Sequence, residues 1–186
     1  NKELSRKIVH ICTGPIIIWA WWLNIPRELA ILASTLVTII LIINYQLRLV
    51  NTFEDVERKS YGTITYALSI TLLLVLFWPH NYAAVLAGVL VMAFADGLAG
   101  LLGKNIKSPS WTIIGQKKSI IGTLTMNIIT VLVLISIAIF TASQVSILKI
   151  LLISLVATSL EQISLKGLDN FSVPIVIAYS WNWIIS

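Results

Sequence analysis

The sequence predicts an all-α fold, a polytopic transmembrane bundle of about seven helices with its amino terminus in the cytoplasm. Three observations carry that expectation. Hydrophobic residues make up 58% of the chain and charged residues only 11%, where a soluble domain carries about a quarter charged. The apolar residues gather into long runs broken by charge, Pro and Gly. If successive runs cross in alternation, eleven of the thirteen Lys and Arg residues fall on one side, which the positive-inside rule makes cytoplasmic. At about 20 residues per crossing, the 186 residues leave no room for a separate soluble domain. Residues 1–186 are therefore expected to form a single integral-membrane domain that itself holds whatever activity exists.

The spans follow in order. The first, 7–23, leaves a basic start at Lys2, Arg6 and Lys7 and ends among Trp19, Trp21 and Trp22. The second, 28–47, runs from Glu28 to just before Arg48. The third, 63–78, follows the charged stretch 54–59 and Tyr61-Gly62-Thr63, and Pro79 stops it. Its residues rise only about 24 Å, short for a hydrocarbon layer about 30 Å thick. The fourth, 82–103, ends at Lys104, and a basic loop leads to the fifth, 119–141. The sixth spans 145–165, and the seventh, 171–185, is also short. Trp19, Trp21, Trp22, Trp78, Trp181 and Trp183 fall at the ends opposite the basic clusters, where indoles suit the membrane interface, and only Trp111 lies on the basic side. The lone cysteine, Cys12, excludes an intramolecular disulfide and a Cys-rich metal site.

Chemistry concentrates on the basic side. Asp96 lies eight residues before Lys104, about 12 Å deeper along a helix, and an ionisable group at such depth marks a functional site by default. Asp96, Gly100 and Gly103 recur at helical spacing. The glycines admit two readings, a packing stripe for another helix or an approach for a ligand. Lys117, Lys118 and Ser119 stand where the loop becomes a helix, with Gly122 and Thr123 in its first turn. Ser119 is a fitting N-cap, and free N–H groups beside two lysines make an anion site for phosphate; a topological lysine pair is the plainer reading. No Walker A motif is present. Glu161 near the end of the sixth span, and Asp169 with Asn170 in the loop after it, join Asp96 as carboxylates able to hold Mg²⁺ with substrate phosphates. Taken alone, Asp169-Asn170 also reads as a turn or cap. Arg6, Lys7 and His10 share a face of the first span and either clamp phosphate or place an interfacial histidine. No nucleic-acid-binding motif accompanies the net charge of +5, so nucleic acid is not an expected partner.

Taken together, Glu3-Leu4-x-Arg6-Lys7-x-x-His10 with Gly14, Tyr61-Gly62-Thr63, Ala95-Asp96-Gly97-x-Ala99-Gly100-x-x-Gly103, Lys117-Lys118-Ser119-x-x-Gly122-Thr123, and Glu161 followed by Asp169-Asn170 and Pro174 resemble the polyprenol kinase family. That family comprises phytol kinases, dolichol kinases and CTP-dependent diacylglycerol kinases, and the short chain looks most like the phytol kinase branch. The resemblance implies Mg²⁺-dependent transfer of the γ-phosphoryl group of CTP to a lipid alcohol, and the basic asymmetry puts that chemistry at the cytoplasmic face of the membrane. It implies a phosphate-binding set of Arg6, Lys7, His10, Gly100, Gly103, Lys104, Lys117, Lys118, Ser119, Gly122 and Thr123. Asp96, Glu161 and Asp169 are then the catalytic acids, and the same three with Asn170 the metal ligands. A phosphatidate cytidylyltransferase also uses CTP and Mg²⁺ but fits the order of motifs less well. A small transporter would explain Asp96, yet it should spread polar residues toward the midplane and both sides. Apolar walls do not distinguish phytol from geranylgeraniol, longer polyprenols or diacylglycerol.

Overall fold

A computed structural model describes residues 2–47, 61–163 and 167–185, with side chains described from residue 7 and up to residue 184. Seven helices are present among them: α1 Lys2–Trp22, α2 Arg27–Leu47, α3 Gly62–Phe77, α4 Tyr82–Asn105, α5 Ile120–Phe140, α6 Ile147–Gln162 and α7 Asp169–Ile185. The expected bundle is thus observed, with helix ends close to those the hydropathy breaks indicate. Three helices, α2, α4 and α5, are long and apolar enough to cross a membrane. Large apolar side chains such as Leu36, Ile40, Ile139 and Phe140 point outward, the dress of a protein whose solvent is lipid.

Helix α4 is the axis of the bundle. It is apolar all round and rich in Ala and Gly, the pattern of a helix surrounded by neighbours, and 72% of its apolar window is buried. Helices α1, α3, α5 and α7 pack directly on it, α6 packs on α5 and α7, and α2 leans on α3. Close approach needs the small residues: a Cβ on Gly88 would lie 2.5 Å from the Pro174 carbonyl oxygen of α7. Asn81 starts α4, its side chain accepting from the Ala84 N–H at 3.1 Å and donating to Asn182 of α7 at 2.6 Å. Within α4, Val91–Asp96 wind as a π-helical turn. Such widened turns often occur at functional sites, and this one ends on Asp96.

Two features depart from expectation. The stretch between α4 and α5 is no plain basic loop but a β-hairpin, β1 Ser110–Ile113 paired antiparallel with β2 Gln116–Ser119. Its two-residue turn, Ile114-Gly115, has positive φ at both positions (50° and 73°), the geometry that matches strand twist and strains a β-branched residue. The tryptophan belt is also only partly a belt. Trp19, Trp22 and Trp183 are exposed, whereas Trp78 and Trp181 are core residues, the Trp78 indole donating to the Ile25 carbonyl at 3.0 Å.

Candidate active site

Residues far apart in the chain meet at one end of the bundle because α4, α6 and α7 each present an acid there. Carboxylate oxygens of Asp96, Glu161 and Asp169 lie within 4.8 Å of one another, the one such acid cluster among the described residues. Asp96 comes from the end of the π-helical turn and Glu161 from the last turn of α6. Asp169 is not in a loop, as expected, but in the first turn of α7.

Two lysines are folded into the cluster. Lys7 reaches across from α1 and donates to Asp96 Oδ2 at 2.6 Å and to the Asp96 carbonyl at 3.2 Å, with both residues buried. Lys118, at the end of β2, donates to Glu161 Oε1 and, at 2.7 Å, to the Glu161 carbonyl. Gln162 donates from Nε2 to Glu161 Oε2 and to Thr123 Oγ1, both at 2.9 Å, fixing the acid against the start of α5. The cluster concentrates the negative charge of three carboxylates, with Lys7 and Lys118 paired to two of them. Burying that charge is costly, and converging hard oxygen donors are the donor set Mg²⁺ takes; the residues therefore fit a divalent cation.

The glycines divide between two neighbours. A Cβ on Gly97 would lie 2.6 Å from Ile11 Cγ1, and one on Gly100 would lie 2.5 Å from Lys7 Cε. Gly100 thus leaves the channel through which Lys7 reaches Asp96. On the other side, a Cβ on Gly103 would lie 2.9 Å from Ser119 Oγ and 3.0 Å from the Gly122 Cα, so Gly103 and Gly122 bring α4 and α5 into contact. Ser119 is the N-cap expected, its Oγ accepting from the Gly122 N–H at 3.2 Å and donating to the Gly103 carbonyl at 3.2 Å. Thr123 donates back to the Ser119 carbonyl at 3.0 Å. Lys104 and Lys117 are exposed nearby in sequence.

His10 and Asn170 are drawn together rather than toward solvent. The Asn170 amide donates to His10 Nε2 at 3.1 Å and to the Gly62 carbonyl at 2.7 Å, tying α7 to α1 and α3. The His10 ring lies 4.3 Å from that of Tyr66, whose hydroxyl shares a 2.5 Å hydrogen bond with Thr13. Tyr66 follows Tyr61-Gly62-Thr63 by about one helical turn, and in the sequence alone that group is ambiguous. The side chain of Arg6 lies outside the described residues, as do Arg48, Arg58, Lys59 and Lys166.

No family model matches the chain, and no solved structure matches it. A phytol kinase of Synechocystis sp. is 36% identical over 98% of this chain and 81% of its own length. The chain belongs to the phytol kinase family. It is accordingly an enzyme, a lipid-alcohol kinase. Two plant phytol kinase relatives are more distant, a probable phytol kinase 2, chloroplastic, of Glycine max at 28% identity and phytol kinase 1, chloroplastic, of Arabidopsis thaliana at 24%, each over 94% of this chain. The chain spans 63% and 64% of those two proteins. The phytol kinase branch of the resemblance noted above is the one the relatives support.

Proposed function

We propose that this chain transfers the γ-phosphoryl group of CTP to the hydroxyl of phytol or a related prenol, with Mg²⁺, at the cytoplasmic face of a membrane that its helices cross repeatedly. The observation that carries the reading is the meeting of Asp96, Glu161 and Asp169 within 4.8 Å, each of the first two paired with a lysine. Phosphoryl transfer asks a protein for alignment and charge neutralisation more than for covalent help. Asp96, with Glu161 or Asp169, would hold Mg²⁺, which neutralises charge on the triphosphate. Lys7 and Lys118 are already folded over the acids. With a triphosphate bound, these ammonium groups would exchange carboxylate partners for phosphate oxygens, aided by the N–H groups at the start of α5.

In the transfer, the lipid hydroxyl oxygen bonds to the γ-phosphorus, the bond from that phosphorus to the β,γ-bridging oxygen breaks, and the nucleoside diphosphate leaves. A carboxylate of the trio accepts the hydroxyl proton. The apolar tail of the alcohol stays in the bilayer, which is why the bundle alone suffices as a kinase domain. CTP is preferred on the family resemblance; the phosphate-binding groups themselves do not choose a base. The cytoplasmic placement rests on the sequence expectation that, with alternating spans, eleven of the thirteen basic residues fall on the side of the acids.

Incubating the purified chain with γ-labelled CTP, Mg²⁺ and phytol, geranylgeraniol, a longer polyprenol or diacylglycerol tests the reading. Label is expected in the phosphorylated prenol, with cytidine diphosphate released. Label recovered as pyrophosphate would mean cytidylyl transfer, and the proposal would fall.

A further inference from the structure

We infer that Trp111 is the shelf on which the nucleobase of the phosphoryl donor stacks. The inference rests on the phosphate site proposed above and adds a base subsite beside it. In the hairpin, Trp111 pairs directly with Lys118. Residues opposite one another across an antiparallel ladder project to the same face, with Cβ atoms about 4.5–5.5 Å apart. The direction of that face is fixed independently, because Lys118 bonds both the carboxylate and the carbonyl of Glu161. The indole therefore leaves the hairpin on the side that looks toward the carboxylate trio.

Its surroundings differ from those of the other tryptophans. Trp78 and Trp181 are buried at the far end of the bundle and Trp19, Trp22 and Trp183 are exposed there, whereas Trp111 stands at the acidic end and keeps 37% of its surface open. A nucleoside triphosphate whose phosphates lie on Lys118 carries its base one ribose beyond the α-phosphate. The next large side chain on that face is Trp111. Stacking on an indole requires only a π-face, which every base has, so this subsite gives affinity for the nucleoside and little discrimination among bases. The two-residue turn at Ile114-Gly115, with positive φ at both positions, fixes the hairpin's register, and a shift of one residue would turn the indole away from the site.

The test compares Trp111→Ala and Trp111→Phe with the wild-type chain in lipid nanodiscs. It reads the KM for CTP and the inhibition constant of inorganic tripolyphosphate, which offers phosphates without a base. Trp111→Ala is expected to raise the KM for CTP by about 5- to 150-fold, the range that base–aromatic stacking spans on alanine substitution, at nearly unchanged kcat. Tripolyphosphate inhibition should not move, which also reports an intact fold, and Trp111→Phe should keep most of the CTP affinity. Equal weakening of CTP and tripolyphosphate would overturn the base shelf, as would no change in either, the result of an indole that serves only as an interfacial anchor. If tripolyphosphate does not compete with CTP in the wild type, the phosphate site fails and the shelf with it, so the two failures are told apart.

Discussion

Replacing Gly100 by alanine should disable the enzyme through a contact that is not itself with substrate. The added Cβ would lie 2.5 Å from Lys7 Cε and 2.9 Å from Lys7 Nζ, distances that cannot persist. Because the obstructing atoms are the far end of a flexible side chain, the lysine moves and the helices stay. Its 2.6 Å bond to Asp96 is then lost, and the buried acid no longer has that ammonium against it. Removing a partner from a buried ion pair costs about 3–5 kcal/mol; here the ammonium is displaced rather than deleted, so the loss should be smaller. We predict a fall in kcat/KM of about 10- to 100-fold, or ~1.4–2.8 kcal/mol of transition-state stabilisation, with detergent-solubilised yield near wild type. Transfer of labelled phosphate to prenol is the assay, run on Gly100→Ala, Lys7→Ala and the double variant. If Gly100 acts only by making room for Lys7, the double variant is no worse than Lys7→Ala. Additive losses, or full activity in Gly100→Ala, would refute the reasoning.

Three further predictions draw on other parts of the molecule. Gly88→Ala should behave oppositely to Gly100→Ala, since its Cβ meets backbone of α7 at Pro174; the helices must part, at about 1–3 kcal/mol, read as a lower unfolding temperature. Lys118→Ala should raise the KM for every nucleoside triphosphate while leaving the ratio of CTP to ATP use unchanged, and a reversed base preference would move Lys118 out of the phosphate site. In a Cys12→Ser background, single cysteines at Asn24 and Lys107 should react with impermeant reagents from opposite sides of a sealed vesicle, that at Lys107 from the cytoplasmic side; labelling from one side only would overturn the proposed topology.

The helices were legible because hydropathy and its interruptions are local. Ser119 as N-cap was legible for the same reason, since the signal lies within four residues. The hairpin was not: its strands have four residues each, and its turn places isoleucine where asparagine or glycine usually signals positive φ. Asp96 announced itself by depth, and its grouping with Glu161 and Asp169 followed from the shared polar side. That Lys7, 89 residues away in sequence, would be the partner of Asp96 is a property of how α1 crosses α4, which no spacing records. Helical periodicity put Gly100 and Gly103 on one face, but a helix as crowded as α4 meets two neighbours within one turn, and the two glycines serve different ones. Hydropathy likewise could not separate the core residues Trp78 and Trp181 from the exposed Trp19, Trp22 and Trp183, because all stand near the same end of the bundle.

The central claim is that Asp96, with Glu161 or Asp169, holds the divalent cation used with the nucleotide. Mn²⁺ binding followed by electron paramagnetic resonance, with a non-hydrolysable CTP analogue present, tests it without turnover. The wild type should bind one Mn²⁺ that Mg²⁺ displaces. Asp96→Asn, which keeps side-chain volume and removes the charge, should lose that signal while remaining monodisperse in detergent. Unchanged Mn²⁺ affinity in Asp96→Asn, Glu161→Gln and Asp169→Asn alike would contradict the account.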